Sequence, residues 1–189
     1  YGPELKEAIE VLKGRNAILW LFVRSKTHKP SSPAGDERAV EVIREVAAMA
    51  AQADLRVALY PHYGFWCERT EDAVRVVKKV DRKNVGVTFN LCHWLRVDDE
   101  KNLKPLLKSA MPHLFVVTIN GADSGGKDWK QLIQTLDRGS FDMRGFLKTL
   151  RDSGYTGPIG FQGYAIGGDA HENLKRTMNA WLELNEQKD

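Results

Sequence analysis

The sequence predicts an α/β fold in which helices cover a parallel β-sheet. Short apolar segments alternate along the chain with longer segments of helical periodicity, and the apolar segments are rich in Val, Ile, Leu and Phe. Strands that are buried on both faces and joined by helical crossovers have this composition. The chain has 189 residues, which is enough for a substantial core. Two architectures fit these observations, an open doubly wound sheet and part of a (β/α)₈ barrel.

The predicted elements follow one another in a regular order. Pro3 and Gly14 bound a first helix, because proline is tolerated in a first helical turn and glycine commonly ends a helix. Five strands are predicted, at residues 17–23, 56–62, 85–90, 114–120 and 158–163. A helix follows each strand, and four residues are predicted N-caps: Asp36, Thr70, Asn102 and Asp142. A short helix is expected around residues 129–136, and Asp169 and Glu172 have capping-box spacing before the last helix.

Composition excludes several classes of protein. Hydrophobic residues make up 42% and charged residues 28% of the chain, which excludes disorder as its main state. The net charge is only +3 and the basic residues are interleaved with acidic ones, so we expect no nucleic-acid partner. No apolar run approaches the ~20 residues of a membrane span, so we expect no membrane partner. Cys67 and Cys92 are too few for a disulfide scaffold or a cysteine-based zinc site.

Localisation is weakly determined by the sequence. The chain opens on a helix pattern with no signal or transit peptide. It begins at Tyr1 rather than Met, so we expect further residues before it. Two cysteines fit a reducing compartment, which slightly favours the cytoplasm but leaves the localisation open.

Alternate residues of each predicted strand divide into two sets, because successive side chains point to opposite faces. One set is apolar in every strand, whereas the other contains small or polar residues and ends in a polar group near the carboxyl end of the strand. A barrel requires this asymmetry, since one face meets helices and the other converges on the axis. No GxGxxG or GxxxxGK[ST] motif supports a nucleotide-binding open sheet. The second set predicts a pocket at the barrel mouth, formed by Tyr60, His62, Asn90, Asn120, Gln162 and Tyr164.

Four segments resemble a known family. Residues 57–62 (VALYPH), 84–93 (NVGVTFNLCH), 115–123 (FVVTINGAD) and 157–162 (GPIGFQ) resemble the fifth to eighth strands of the xylose isomerase-like TIM barrels. That superfamily includes sugar phosphate isomerases and epimerases and the family-2 endonucleases. The resemblance implies a (β/α)₈ TIM barrel, of which this chain supplies the five C-terminal β/α units. We therefore expect a single domain over residues 1–189 that lacks the first three units, because such barrels typically have ~250 residues.

The resemblance also implies a divalent-metal site, and here the sequence departs from the family. Members usually hold the metal with Glu, Asp, His and Glu at the ends of four strands. The matched residues are Tyr60, Asn90, Asn120 and Gln162, with Thr118 as an alternative to Asn120. Mg²⁺ and Mn²⁺ prefer anionic oxygens, and neutral amide oxygens are weaker ligands. We therefore expect no metal cofactor, and weak Mn²⁺ or Mg²⁺ binding only if missing N-terminal units supply ligands.

A small carbohydrate is the ligand that the resemblance implies, with isomerase or epimerase chemistry. Amides pair with sugar hydroxyls, and aromatic rings offer a stacking surface. The predicted substrate-binding residues are Tyr60, Asn90, Asn120, Gln162, Tyr164, Trp66 and Trp94, with Trp20 as a further stacking residue. Without a metal, His93 or His62 is the candidate general acid or base, oriented by Asp123.

Whether the chain is an enzyme stays open at this point. The leading hypothesis is a sugar isomerase/epimerase-like protein that acts on or binds a carbohydrate at the barrel mouth. The alternative is a non-catalytic carbohydrate-binding or structural module that kept the barrel. An endonuclease is disfavoured because it needs a metal cluster and a basic groove. A homo-oligomer remains open, and the basic loop at residues 24–29 suits a phosphate or an acidic sugar, although a solvated loop explains it more simply.

Overall fold

The computed structural model describes residues 1–186 and contains a five-stranded sheet. The strands are β1 (Ile18–Leu21), β2 (Arg56–Leu59), β3 (Val85–Asn90), β4 (Leu114–Ile119) and β5 (Ile159–Phe161). Every neighbouring pair is parallel, and the spatial order of the strands is their order in the chain. A doubly wound sheet reverses its strand order at a switch point, whereas a barrel does not. The five strands form a half-barrel, which confirms the predicted fold class.

Helices connect the strands and cover one face of the sheet. They are α1 (Glu4–Leu12), α2 (Asp36–Gln52), α3 (Thr70–Val80), α4 (Leu91–Val97), α5 (Leu103–Ala110), α6 (Trp129–Leu132), α7 (Met143–Asp152) and α8 (Ala170–Asn185). Three short 3₁₀ helices lie at Pro33–Gly35, Glu100–Asn102 and Met111–His113. None of the helices within residues 1–186 combines the length and apolarity that a bilayer crossing requires.

Two helix starts differ from the sequence prediction. Asp36 and Thr70 are the first residues of α2 and α3, not their N-caps. In α3 the carboxylate of Asp72 accepts hydrogen bonds from the backbone N–H groups of Glu68 and Arg69, the two residues before the helix, and so fixes the chain where α3 begins. The other predicted caps, Asn102, Asp142 and Asp169, occupy N-cap positions. Both aspartates accept a backbone N–H of their helix, whereas the Asn102 side chain does not.

Strand ends also differ from the prediction, and this matters for the site. β2 ends at Leu59, so Tyr60 and His62 lie in the loop beyond the strand. The helix α4 was not predicted, because its residues follow β3 directly without a glycine or proline between them. It places His93 in a first helical turn.

The helix-facing side of the sheet forms the main core. Its strand residues are fully or nearly buried and pack with apolar residues of α2, α3, α5 and α7. They include Val57, Leu59, Val87, Phe89, Val117 and Ile119. The alternate residues Ala58, Thr88, Asn90 and Thr118 are also buried but do not belong to that apolar cluster. This division agrees with the two sets read from the sequence.

β4 contains a bulge that strict alternation did not anticipate. Its pairing with β3 shifts between Val87 and Thr88, which leaves Phe115 as an extra residue. A Cβ on Gly86 would lie 2.6 Å from the Phe115 ring, and the guanidinium of Arg56 lies over that ring at 5.3 Å. Alternation places Phe115 with the helix-facing residues, but the bulge turns its ring to the barrel interior.

A buried ionic cluster joins α2 to α3. Arg75 Nε lies 3.0 Å from Oδ2 of Asp36, and Arg75 Nη1 lies 2.6 Å from Oδ1 of Asp72. Lys79 Nζ reaches Asp36 at 2.6 Å, and the Ser31 hydroxyl donates to Asp72 at 2.6 Å. Both carboxylates are almost completely buried, so the cluster fixes the start of α2 against α3.

β1 and β5 are the edges of the half-barrel, and within residues 1–186 each has one strand neighbour. A groove beside β5 is lined by Phe161 and by side chains of α8. Leu174, Met178 and Leu182 of α8 are each more than half exposed. Their spacing of four residues aligns them, and we call these three residues the α8 stripe.

Candidate active site at the barrel mouth

Asn90 is the centre of a hydrogen-bonded cluster at the carboxyl end of β3. Its Oδ1 accepts from the backbone N–H of His93 at 3.2 Å and from the thiol of Cys92 at 3.0 Å. Its Nδ2 donates to Oγ1 of Thr118 at 2.7 Å and to Oη of Tyr60 at 3.3 Å. We call Tyr60, Asn90, His93 and Thr118 the mouth cluster. Because all four hydrogen-bonding positions of the amide are used, Asn90 organises the cluster and has none left for the ligand contact predicted for it.

The tautomer of His93 follows from its two partners. The backbone N–H of Tyr63 lies 3.4 Å from Nδ1, and a backbone N–H can only donate, so Nδ1 accepts. The proton of the neutral ring is therefore on Nε2, which lies 3.1 Å from the Tyr60 oxygen. That oxygen accepts from both His93 and Asn90, which leaves the phenolic hydrogen of Tyr60 free to donate to a ligand.

Burial keeps both groups of this pair neutral. Desolvation, with a smaller effect from the nearby charge of His62, lowers the pKa of His93 to about 3. Desolvation likewise raises the pKa of Tyr60 to about 12. A general base works best with a pKa near the operating pH, so this environment disfavours the catalytic role predicted for His93.

His62 has a different environment at the same mouth. Its Nδ1 lies 2.9 Å from the carbonyl oxygen of Tyr63, so Nδ1 donates, and in the neutral form of the ring Nε2 is the acceptor. The ring stacks on Phe65 with centroids 4.1 Å apart and lies 4.1 Å from the ring of His93. His62 is half-buried, and within residues 1–186 its Nε2 has no hydrogen-bond partner. Of the two imidazoles at the mouth, His62 is therefore the one whose ring has a nitrogen free to accept a hydrogen bond.

Trp20 lies beside the mouth cluster on the inner face of β1. It pairs in register with Ala58, two residues before Tyr60, and the centroids of the Trp20 and Tyr60 rings are 5.9 Å apart. The Trp20 side chain is 43% exposed. A partly exposed indole next to a phenol offers the face on which a sugar ring can stack.

Two predicted stacking residues lie elsewhere. Trp66 is 3% exposed, and its Nε1 donates to the carbonyl of Ser32. Trp94 is equally buried, its Nε1 donates to Asp98, and its ring packs against Phe89 on the helix side of the sheet. Both indoles belong to the main core, so neither is placed to stack on a ligand at the mouth.

The remaining predicted residues are not part of the mouth cluster. Asp123 accepts hydrogen bonds from the Ser140 backbone and the Gln134 side chain, so it orients a loop and not a histidine. Asn120 is fully buried and donates to the carbonyls of Gly121 and Leu132, which ties the end of β4 to the last residue of α6. Gln162 is half-buried beyond β5, and Tyr164 is 72% exposed. Of the two candidates for the third family position, which is usually a His, Thr118 and not Asn120 bonds to Asn90.

A match to a protein-family model shows which family the chain belongs to. The model described as "Xylose isomerase-like TIM barrel" matches residues 4–184. The chain belongs to the xylose isomerase-like TIM barrel family. No curated protein matches it significantly.

Solved structures share the xylose isomerase-like fold at low sequence identity. An IolI protein with a bound zinc atom is 17% identical, with a TM-score of 0.78 over 96% of this chain and 67% of that chain. The 3-keto-D-glucoside 4-epimerase from E. coli is 18% identical, with a TM-score of 0.73 over 96% of this chain and 68% of that chain. A D-tagatose 3-epimerase-like protein is 17% identical, with a TM-score of 0.73 over 97% of this chain and 69% of that chain. The chain thus spans about two thirds of these relatives.

The residues at the xylose isomerase-like metal positions do not fit a hard divalent cation. Tyr60, Thr118 and Gln162 supply neutral oxygens, and the oxygen of Asn90 already accepts two hydrogen bonds. Mg²⁺ and Mn²⁺ prefer anionic oxygens, and protein sites for them usually include at least one carboxylate. In the described part of the chain, no three His, Cys, Asp or Glu side chains are grouped so that they could hold a metal ion.

Sequence reasoning missed two rings at the mouth. Trp129 of α6 makes an edge contact with the ring of His93 at 5.4 Å, and Tyr63 makes an edge contact with Trp129 at 5.8 Å. Neither residue lies on a strand, so the alternation that selected Tyr60 and Asn90 did not apply to them. Loop residues come together through tertiary packing, which one sequence does not show.

Proposed function

We propose that this chain binds a small carbohydrate at the mouth of its half-barrel. One observation carries the proposal: the Tyr60 hydroxyl has its oxygen occupied by His93 and Asn90 and its hydrogen free, beside the half-exposed indole of Trp20. Sugars present hydroxyl groups to such donors and C–H faces to such rings. The names of similar proteins, a 3-keto-D-glucoside 4-epimerase and a D-tagatose 3-epimerase-like protein, support a carbohydrate as the ligand class.

The test is calorimetric titration with a panel of ketoses and aldoses, starting with D-tagatose and D-glucose. We expect Tyr60→Phe to weaken binding about tenfold or more, because a sugar hydroxyl loses its donor. Tyr1→Phe is the matched control, since that exposed phenol bonds to Glu45 of α2 outside the mouth cluster, and its removal is expected to leave the affinity unchanged. Thermal unfolding of both variants checks that the fold is intact. Absence of binding across the panel, or equal losses in both variants, would contradict the proposal.

A second candidate function is isomerisation or epimerisation of the bound sugar, with His62 as the base. The observation that favours it is the unpartnered Nε2 of His62 at the mouth. We expect His62→Gln to abolish turnover while changing the sugar Kd less than about threefold. Because the mouth cluster does not fit a metal, turnover is expected to survive a chelator. Binding without turnover in the unmodified protein would exclude this second function and leave the first in place.

A further inference from the structure

Two arginines lie on the rim of the mouth, each held by an aromatic ring. Arg24 follows β1, and its guanidinium lies 5.1 Å above the centroid of Phe65. Phe65 in turn stacks on His62. The Phe65 ring therefore lies between Arg24 and the imidazole of His62. The contact also orients the Arg24 side chain, which the sequence explains most simply as part of a solvated loop.

Arg96 of α4 lies on the other side of the histidine pair. Its guanidinium is 5.0 Å from the Tyr63 centroid and 6.0 Å from the Trp129 centroid, and it also donates to the carbonyl of Lys127. Trp129 contacts the ring of His93. The Trp129 ring therefore lies between Arg96 and His93, as the Phe65 ring lies between Arg24 and His62.

Neither of these arginines is held in an ion pair. Among the ion pairs of residues 1–186, none includes Arg24 or Arg96. Two carboxylates of the neighbouring loops bond to backbone N–H groups instead: Glu68 accepts from Gly64, and Asp128 accepts from the start of α6. Residues 18–35 contain Lys and Arg but no acidic residue, so the chain around Arg24 is basic. Within the described residues, both guanidinium groups therefore lack a carboxylate in ion-pair contact.

We propose that the carbohydrate bound at the mouth carries an anionic group, a carboxylate or a phosphate, which the positive charges of Arg24 and Arg96 attract from the two sides of the histidine pair. This inference rests on the carbohydrate binding proposed above and names the class of sugar. Guanidinium groups suit both anions, because their paired N–H donors match carboxylate and phosphate oxygens. The contact with an aromatic ring uses no N–H group of the guanidinium, so those of Arg24, and those of Arg96 that do not bond to Lys127, are left for the ligand.

The test compares D-glucose, D-glucuronate, D-glucose 6-phosphate and D-glucosamine by calorimetric titration of the full chain. We expect at least one of the two anionic sugars to bind about tenfold or more tightly than D-glucose, and cationic D-glucosamine to bind more weakly. The preference is expected to shrink as salt rises from about 50 mM to about 500 mM, because charge attraction is screened. Which anion binds more tightly distinguishes carboxylate from phosphate.

Arg24→Gln and Arg96→Gln are each expected to reduce the preference for the anionic sugar about fivefold or more, with little change for D-glucose. Arg151→Gln, on the exposed side of α7, is the matched loss of charge and is expected to change nothing. If D-glucose binds as tightly as both anions, or if the arginine variants keep the preference, the inference is overturned while the proposed function stands. If no sugar of any charge binds, the proposed function fails and the inference fails with it.

Discussion

The environment of His93 explains why an imidazole at the mouth is not automatically a catalyst. Its ring is buried, both nitrogens are bonded, and its neighbour at 4.1 Å is a second imidazole. A positive charge on this ring would lose its hydration and break the bond from the Tyr63 backbone to Nδ1. The residue therefore acts as a neutral link between α4 and Tyr60, which positions the phenol.

This burial predicts a dependence of stability on pH. In the unfolded chain a histidine has a pKa near 6.5, whereas the pKa of His93 in the fold is about 3. Between these values the unfolded chain binds the proton and the folded chain does not. Stability from this group is therefore complete above about pH 6.5 and is lost as the pH falls toward 3, with a slope of up to about 1.4 kcal/mol per pH unit.

Denaturant unfolding between pH 7 and pH 4 measures the effect. We expect the free energy of unfolding to decrease less steeply with falling pH in His93→Gln than in the unmodified protein. His171→Gln, at an exposed position of α8, is the control and should follow the unmodified protein. Identical pH profiles for all three proteins would show that His93 is not buried in its neutral form.

At the level of residues, alternation in the sequence found Tyr60 and Asn90, which are part of the mouth cluster. It did not apply to Trp66 and Trp94, which were predicted as stacking residues because they are aromatic and which lie outside the strands. Their indoles turn back into the core, where each N–H finds an oxygen. No sequence pattern shows which way such a ring turns.

At the level of elements, the ionic cluster holds α2 against α3. Burial alone raises the pKa of Asp36, but hydrogen bonds from Lys79 and Arg75 outweigh it and lower the pKa overall. Asp72 shares the same arginine and also holds the start of α3. The contribution of Asp36 is therefore present above its unfolded pKa near 3.9 and is lost as the pH falls below it.

Removal of the shared arginine tests this cluster. Arg75→Met keeps most of the side-chain volume but leaves Asp36 and Asp72 without their common partner, and we expect a loss of about 3–5 kcal/mol in unfolding free energy. Arg38→Met removes the exposed pair with Glu41 on the same helix layer and should cost less than about 1 kcal/mol. Urea unfolding of both variants provides the comparison, and a loss below about 1 kcal/mol in Arg75→Met would contradict it.

Most elements could be predicted from the sequence because their signals are local. The order of strands and helices follows from apolar runs and capping residues. Each of these signals lies entirely within one short segment of the sequence. The helix α4 and the bulge at Phe115 could not be predicted in this way. The bulge depends on the pairing of β4 with β3, and α4 begins in a continuous run of residues with no break after Asn90.

At the level of the whole molecule, the half-barrel leaves apolar surface open beside β5. Parallel sheets are normally buried on both faces, and their edges are covered or paired. In the described residues, the groove between β5 and α8 and the α8 stripe remain in contact with solvent. Exposed apolar patches of this kind bind hydrophobic dyes and promote association between molecules.

We therefore expect the chain to bind the dye ANS in its folded state and to elute earlier from a sizing column as its concentration rises. Met178→Lys together with Leu182→Lys places two charges in the α8 stripe and should reduce both effects severalfold. Asn179→Lys adds a charge at a neighbouring exposed position outside the stripe and should reduce neither. Because all three positions are exposed on one helix, unfolding free energies should stay within about 0.5 kcal/mol of each other. A dye-negative monomer at every concentration would show that this surface is not available in the folded chain.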